Sequence, residues 1–237
     1  MKVSREQAAL NRERILEAAA HLFRERGFDG IGVADLMKEA GLTHGGFYGH
    51  FSSKEELIRE ASARALTNTF ALLSEQAERA AGDPLAAVAN SYLSSRHRDD
   101  PGTGCLLAAL GPDVSRQGRA VRRTVTEYVR SAVDLLTTLV PGKSKAARRQ
   151  KAISTYATLV GTMVMARAVD DRALSQEILD AGWYYATLFF GETQIRSGHL
   201  LVGALKKNEL RRALNGLSRE FGKINVGLSK LEPAGHY

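Results

Sequence analysis

The chain of 237 residues has a single cysteine, Cys105, and no long hydrophobic run. One cysteine excludes an internal disulfide and provides no cysteine cluster for a metal. The longest apolar stretch, residues 157–166, is too short to span a bilayer and is followed by Arg167. The opening residues, MKVSREQ, lack the apolar core of a signal peptide. We therefore expect a cytoplasmic protein with no metal, no cofactor and no contact with a membrane.

The sequence also lacks the alternation of apolar and polar residues that is typical of strands, and no internal repeat is found. The apolar periodicity is helical throughout, so we expect an all-α fold. A frayed arm is predicted for residues 1–10 and a loop for 99–104. A short helical turn is predicted at 105–110, ended by Gly111–Pro112. Apart from the motif described below, the predicted helices span residues 11–26, 53–79, 85–98, 115–140, 144–169, 175–191 and 209–221.

The net charge of +7 favours a polyanionic partner, but its distribution is uneven. Residues 1–50 carry 7 basic and 7 acidic side chains, whereas residues 96–150 carry 11 basic and 5 acidic ones. Any binding of phosphates by the N-terminal part must therefore come from a few individual side chains and not from an excess of positive charge. The candidate cations are Arg5, Arg12, Arg14, Lys38 and Lys54, and for each except Lys54 a solvated surface charge is the preferred interpretation.

Residues 32–54 contain a pattern of two short helices separated by a tight turn. Val33, Leu36, Met37 and Ala40 share one helical face, and Gly41 follows where a left-handed residue often ends a helix. Thr43 is predicted to cap the next helix with its hydroxyl. In that helix Phe47 and Phe51 share a buried face, while the opposite face is small and polar. This arrangement is typical of a helix-turn-helix that lies in a DNA major groove.

The second of these helices has weak intrinsic stability because Gly45, Gly46 and Gly49 each cost about 1 kcal/mol relative to alanine. Tertiary packing must therefore hold it, and the glycines allow a partner to approach the backbone closely. The alternative is a glycine-rich loop between two core helices. Behind it, Ser53 and Glu56 form a predicted capping box, which places Lys54 in the first turn of a long helix as a phosphate-binding cation.

Residues 11–58 resemble the DNA-binding domain of the TetR/AcrR family of bacterial transcriptional regulators. The match has no gap and is carried by three spaced patterns: Ile15-Leu16-x-Ala18-Ala19-x-x-Leu22-Phe23-x-x-x-Gly27-Phe28, then Val33-x-x-Leu36-x-x-x-Ala40-Gly41-Leu42, then Phe47-Tyr48-x-His50-Phe51-x-x-Lys54-x-x-Leu57. Gly32 departs from the family, which usually has Ser or Thr there, and so loses a helix cap.

The resemblance implies three regions: a DNA-binding domain at 1–58, an effector-binding and dimerisation domain at 59–191, and an extension at 192–237. We expect a homodimer on a palindromic double-stranded operator. Tyr48, His50 and Lys54 are expected to hold phosphates. Thr43, His44 and the backbone near Gly45, Gly46 and Gly49 are expected to meet base edges. Few long side chains lie there, so DNA shape is expected to supply part of the specificity.

The last two long helices, 144–169 and 175–191, are apolar on more than one face, which requires burial on more than one side. The family pairs such helices into a four-helix bundle between subunits. We therefore expect these helices to form the dimer interface.

The resemblance also implies an effector pocket, and Tyr92, Tyr128, Met163, Met165 and Trp183 are candidates to line it. Ordinary core packing is the preferred alternative for these residues. Cys105 follows the basic segment 96–98 and a glycine loop, in a Gly-Cys-Leu setting that resembles electrophile-sensing members of the family. A thiol at a helix N-terminus near cations suits a sensor, if it is accessible. A small buried hydrophobic residue is the alternative that we prefer.

After residue 191 the chain continues, and residues 196–224 resemble part of the N-terminal domain of Clp-type unfoldases, especially those of type VI secretion. An amphipathic helix at 209–221 that docks on the rest of the protein is the simpler interpretation.

The sequence thus predicts a dimeric DNA-binding repressor, released by an effector or by modification of Cys105. Three alternatives remain open: a nonspecific nucleic-acid binder that uses residues 96–150, an interaction protein that uses the tail, and an enzyme that uses Cys105. The enzyme is disfavoured, because only His97 lies near this cysteine in sequence and no second catalytic partner is evident.

Overall fold

The computed structural model describes residues 4–189, and this part of the chain is helical with no strand. The chain divides into two units, Met1–Thr193 and Gln194–Tyr237, and every described residue belongs to the first. The predicted tail, 192–237, and its helix at 209–221 lie outside the described residues. The α-helices are α1 (Arg5–Arg26), α2 (Val33–Glu39), α3 (Lys54–Arg79), α4 (Pro84–Tyr92), α5 (Ser95–Asp99), α6 (Leu106–Arg116), α7 (Arg119–Leu139), α8 (Lys145–Ala168) and α9 (Arg172–Tyr184).

Three short segments depart from the α-helical pattern. Residues His44–Gly49 and Pro101–Thr103 are 3₁₀-helices, and Tyr185–Phe189 continues α9 as a π-helix. None of the described helices is long and apolar enough to cross a lipid bilayer. The all-α prediction is confirmed, with an N-terminal helix-turn-helix followed by a helical C-terminal part.

Helix α3 connects the two parts of the described structure. Its N-terminal half packs against α1, and it also contacts α4 and α7. Helix α7 packs on α8, and α8 on α9, so the C-terminal part is a layered helical bundle. Ser53 begins α3 as predicted, since its hydroxyl accepts a hydrogen bond from the Glu56 amide at 3.1 Å. The Glu56 carboxylate accepts from the Ser52 amide at 2.7 Å rather than from the Ser53 amide, so the capping box is displaced by one residue.

The predicted frayed arm at 1–10 is wrong from Ser4 onward. Helix α1 begins at Arg5, six residues before the predicted start, because the Ser4 hydroxyl caps it by accepting from the Gln7 amide at 3.1 Å. This first stretch of α1 is exposed or half-buried. It therefore carries no apolar stripe that periodicity could detect.

The helix predicted over 85–98 is two helices. Helix α4 ends at Tyr92, and Ser94 starts α5 by accepting a hydrogen bond from the His97 amide at 3.2 Å. The loop predicted at 99–104 is partly the 3₁₀-helix Pro101–Thr103.

The prediction that Gly111–Pro112 ends a helical turn at residue 110 is wrong. Helix α6 continues to Arg116 with Pro112 inside it, although proline gives up one backbone hydrogen bond. Leu106, Leu110 and Val114 lie four residues apart and are all buried. This buried face stabilises the helix through the proline. Helix α7 accordingly starts at Arg119 rather than at 115.

Helices α8 and α9 occur near their predicted positions. The Ser144 hydroxyl caps α8, which spans Lys145–Ala168. Helix α9 starts three residues earlier than predicted because the Asp171 carboxylate accepts hydrogen bonds from the amides of Ala173 and Leu174.

Candidate functional site

The turn of the helix-turn-helix is formed as the sequence predicts. Gly41 has a φ of 71°, in the left-handed region that favours glycine. The Gly41 amide donates to the Lys38 carbonyl at 3.0 Å, and the Leu42 amide donates to the Met37 carbonyl at 2.8 Å. These two bonds close the C-terminus of α2 and fix the direction of the following segment.

The segment after the turn is a 3₁₀-helix, His44–Gly49, rather than the predicted α-helix. Its glycines and its length of six residues explain the difference, since neither supports a stable α-helix. Thr43 stands at the N-cap position, but its hydroxyl makes no capping hydrogen bond, so the predicted cap is wrong. The Thr43 carbonyl accepts from the Gly46 amide at 3.0 Å instead.

Two phenylalanines hold this segment, residues 43–50, against the body of the protein. Phe47 and Phe51 are 1% and 2% exposed, and their rings stack with centroids 5.8 Å apart. The guanidinium of Arg12 lies 4.6 Å from the centre of the Phe51 ring and pairs with Glu60 at 2.5 Å. Arg12 is therefore committed to packing α1 against α3, which leaves it poorly placed to contact a phosphate.

Most of the predicted DNA-contacting residues lie at the surface. Tyr48 is 71% exposed. A methyl group added at Gly45 or Gly49 would meet nothing within 4 Å. Together these residues form one small polar face: Thr43, His44, Gly45, Tyr48 and Gly49 are exposed, and Gly46 and His50 are half-buried.

Lys54 lies at the first position of α3, where its ammonium donates to the Ile31 carbonyl at 2.9 Å. This bond ties α3 to the loop before α2. An ammonium has three N–H groups, so Lys54 keeps donors beyond the one that it uses here.

A second group of polar side chains is buried around Cys105. The cysteine is 1% exposed and stands immediately before α6, so it is not the accessible thiol that a sensor requires in this conformation. Its amide donates to His97 Nε2 at 2.8 Å, and His97 Nδ1 lies 2.6 Å from the Tyr92 carbonyl. Because the carbonyl only accepts, the proton is on Nδ1 and Nε2 is the acceptor.

Burial lowers the pKa of His97 to about 4, so the ring is neutral at pH 7. Both ring nitrogens are engaged with the backbone, and neither pairs with the Cys105 thiol. The arrangement does not activate this cysteine as a nucleophile, which argues against the enzyme alternative.

Of the predicted effector residues, the structure brings Tyr92 and Tyr128 beside Cys105. Met163 is fully buried in α8, and Trp183 is half-buried on α9. Met165 is 59% exposed and does not line an interior site. Sequence reasoning missed Arg24, whose guanidinium donates to the carbonyl of Gly104 next to Cys105, and Arg167, which donates to the carbonyl of His97. It also missed Tyr156, whose phenol interacts electrostatically with Cys105.

Residues 15–61 match the family model described as bacterial regulatory proteins, tetR family. The matched residues include α2, the turn at Gly41, the exposed segment and the start of α3. Residues 15–61 thus have the sequence of a TetR-family DNA-binding segment. The family model describes regulatory proteins of bacteria.

One related TetR-family protein is the HTH-type transcriptional repressor NemR of Escherichia coli K12. It is 27% identical over 128 residues, which are 53% of this chain and 64% of NemR. The crystal structure of the reduced form of E. coli NemR superposes with a TM-score of 0.64 at 23% identity, covering 75% of this chain and 95% of that one. At this identity the superposition establishes a shared fold.

A different relative matches a short stretch. The AAA+ ATPase ClpV1 of Pseudomonas aeruginosa PAO1 is 51% identical over 51 residues, which are 22% of this chain and 6% of ClpV1. A Clp-type protein is the class that residues 196–224 resemble. The chain thus spans less than two thirds of the length of each of these two curated relatives.

Proposed function

We propose that this chain is a homodimeric, sequence-specific DNA-binding repressor. Residues 1–58 form the DNA-binding domain, residues 59–191 bind the effector and dimerise, and residues 192–237 are an extension. One observation carries the proposal. The exposed polar face of residues 43–50 is backed by the buried Phe47–Phe51 pair, so it is rigidly held yet free to meet a partner. A short helical segment of this kind, one turn after α2, is the element that enters a major groove.

The chemistry of this face supports the following proposed contacts. The Tyr48 hydroxyl, His50 and Lys54 hold phosphates, and Thr43 and His44 meet base edges. The open space above Gly45 and Gly49 lets the DNA backbone approach the chain. With few long side chains available, part of the specificity comes from DNA shape.

Dimerisation through α8 and α9 is supported by the apolar side chains that these helices expose. Val164 is 39%, Met165 59% and Leu174 42% exposed. A second copy of the chain would cover them and place two 43–50 segments on half-sites about 34–36 Å apart, or a multiple of that.

Release from the operator is proposed to follow effector binding or modification of Cys105 in the C-terminal part. Cys105 lies at the wall of a cavity of 300 Å³ between α3, α4 and residues 103–105, but it is only 1% exposed, so reaction of the thiol requires a change of conformation. The role of Cys105 is tested by measuring whether N-ethylmaleimide or hypochlorite releases the protein from operator DNA. Release that is equally efficient in wild type and Cys105→Ser removes the cysteine from the mechanism.

A fluorescence anisotropy titration with the operator tests the DNA-binding proposal at about 150 mM salt. His44→Ala and Tyr48→Phe are expected to weaken operator binding by about tenfold each, the value of one lost charge-assisted or base contact. Arg123→Ala is the matched control because Arg123 is exposed on α7, remote in sequence from the motif.

The alternative function, nonspecific binding of nucleic acid, would depend on the exposed basic side chains of α7 and α8. These include Arg119, Arg122, Arg123, Lys145, Arg148 and Arg149. It predicts the opposite pattern: Arg123→Ala weakens binding, the two motif variants do not, and random DNA competes as well as the operator.

A further inference from the structure

Helices α1 and α3 run side by side in the same direction, with their first turns at the same end of the protein. Arg12 of α1 pairs with Glu60 of α3 at 2.5 Å. Further along both helices, Glu17 of α1 pairs with Arg64 of α3 at 3.6 Å. The proposed DNA-reading segment, 43–50, comes shortly before α3 in the chain. The starts of α1 and α3 therefore lie at the end of the protein that is nearest to the proposed operator.

Helix α7 begins at this same end. Gly118, the residue before α7, lies so close to the first turn of α3 that a Cβ atom there would be 2.4 Å from Glu55 Oε1. Further along, one cavity is lined by side chains from residues 63–70 of α3 and 124–131 of α7. Helix α7 therefore runs parallel to α3, and its first turn lies beside the turn that carries Lys54.

The first two turns of α7 carry two cations that have no ionic partner. Arg119 and Arg122 are exposed, and neither guanidinium forms an ion pair within residues 4–189. The neighbouring Arg123 differs, because it pairs with Glu127 at 3.3 Å. An arginine without a partner presents five N–H donors in a planar fork to an anion from outside.

The position of α7 in the bundle places these arginines toward the two-fold axis of the proposed dimer. Helix α7 packs on α3 and on α8, so it lies between the DNA-binding part and the helices α8 and α9 that are proposed to pair. Half-sites one helical turn apart lie on the same side of the duplex. The DNA between the two half-sites therefore faces the starts of the two α7 helices.

The DNA backbone matches these arginines in charge and chemistry. It carries one negative charge per about 1.7 Å of helix axis, and its phosphate oxygens accept bidentate hydrogen bonds from arginine. Packed helices lie about 8–10 Å apart, which corresponds to about three base pairs along the duplex. We propose that Arg119 and Arg122 form a second DNA contact, which binds backbone phosphates between the two half-sites.

This inference rests on the dimeric DNA-binding function proposed above and adds to it a contact outside the helix-turn-helix. Residues 1–50 carry as many acidic as basic side chains, so the α7 arginines supply positive charge that the reading segment lacks. Phosphate contacts fix position and carry no direct sequence information. Arg119 and Arg122 therefore raise affinity without changing which palindrome is selected.

Two double variants with the same loss of charge test the contact. Arg119→Ala/Arg122→Ala removes the proposed contact. Lys145→Ala/Arg148→Ala removes two exposed cations that line a cavity at the C-terminal end of α7. That end is about 30 Å from Arg119, because α7 has 21 residues. An effect of net charge alone would be equal in the two variants.

Anisotropy titrations of the full chain use the palindrome selected from random DNA. At about 150 mM salt, Arg119→Ala/Arg122→Ala is expected to bind about tenfold more weakly than wild type, with a salt slope smaller by about two for each protomer. Lys145→Ala/Arg148→Ala is expected to bind within about twofold of wild type, because these cations lie far from the duplex.

The same titrations are repeated with uncharged methylphosphonate linkages between the half-sites, and with an equal number outside them as control DNA. The central substitution is expected to weaken wild type and Lys145→Ala/Arg148→Ala about tenfold. It is expected to leave Arg119→Ala/Arg122→Ala nearly unchanged, because the side chains that bind those phosphates are already absent. The outer substitution should affect all three proteins equally.

The proposal is overturned if the two double variants lose affinity equally, or if the central methylphosphonates weaken Arg119→Ala/Arg122→Ala as much as wild type. Thermal melts are expected to match wild type, since only exposed side chains change. A variant that melts lower is replaced by Arg119→Gln/Arg122→Gln. If wild type selects a palindrome but is insensitive to its central phosphates, this contact fails and the proposed function stands. If no palindrome is selected, the proposed function fails and this contact fails with it.

Discussion

At the residue scale, His97 illustrates how one side chain can hold a local structure through a single protonation state. Its neutral ring donates to the Tyr92 carbonyl and accepts from the Cys105 amide. Protonation of Nε2 would replace the acceptor by a donor that faces an amide. The histidine therefore links the end of α4 to the start of α6 only while it is neutral.

The lowered pKa of His97 predicts a pH dependence of stability. Between pH 6.5 and about 4 the unfolded chain binds a proton at this position that the folded chain does not. The free energy of unfolding therefore falls as the pH is lowered through this window, by about 1–2 kcal/mol between pH 7 and 5 from this residue alone. Urea denaturation at both pH values should show a smaller difference in His97→Gln than in wild type. An equal difference in the two proteins would contradict the assignment.

Substitution of Gly49 is expected to change stability and DNA binding in opposite directions. Its φ is outside the left-handed region and its surroundings are open, so Gly49→Ala is expected to stabilise the fold by about 0.4–1 kcal/mol. The added methyl lies where the DNA backbone approaches, so operator affinity should fall about tenfold. Gly82→Ala, at another open position before α4, should leave operator affinity unchanged. Unimpaired operator binding by Gly49→Ala would show that the DNA backbone does not approach the chain closely at Gly49.

At the element scale, the loop before α6 is the junction between the two parts of the protein. Pro101–Thr103 packs on α1, and a side chain at Gly102 would overlap the ring of His21. A side chain at Gly104 would overlap His97 and lie 2.9 Å from Arg167 Nη2. The loop thus requires small residues on both of its packed sides.

This packing predicts different outcomes for two glycine-to-alanine changes in adjoining elements. Gly104→Ala forces the His97 ring or the Arg167 guanidinium to move and is expected to cost about 1–3 kcal/mol of unfolding free energy. Gly111→Ala, inside α6 with open space around it, is expected to stabilise by up to about 1 kcal/mol. Chemical denaturation of both variants measures the pair. Similar stability in both would contradict the junction described here.

The sequence predicted elements with a buried apolar stripe better than elements fixed by polar contacts. Helix α3 and helix α8 were predicted nearly to the residue because a serine cap precedes a long apolar period in each. The first turns of α1 bury little apolar surface, so the sequence pattern does not predict them. Pro112 is a poor marker of a helix end here because the burial of Leu110 and Val114 outweighs the loss of one hydrogen bond. These are cases in which tertiary packing overrides a local signal.

The polar side chains around Cys105 show which parts of a site the sequence cannot predict. Tyr92 and Tyr128 are candidates for the effector pocket that the family resemblance implies, but Arg24 meets Gly104 across 80 residues of sequence. No local pattern marks such a pair, and Arg24 reads as one more charge near the end of α1. Only the packing of α1 against Pro101–Thr103 brings it to the cysteine.

At the scale of the whole molecule, the exposed apolar side chains of α8 and α9 predict the oligomeric state. Sedimentation of the full chain is expected to give twice the chain mass of 25.8 kDa. Met165→Glu places a charge in the face that a second copy would cover, and should shift the mass toward the single chain. Leu10→Glu, at an apolar residue 52% exposed on α1, should remain dimeric. A wild-type mass of one chain at micromolar concentration would refute the dimer.

The central claim is that residues 43–50 read a specific operator as part of a two-fold dimer. The most direct measurement is selection of bound sequences from a random pool of double-stranded DNA by the full chain. We predict enrichment of one palindrome with half-sites about one helical turn or a multiple apart, and loss of that enrichment in His44→Ala. A pool that shows no enriched sequence after repeated selection with wild-type protein would contradict the claim.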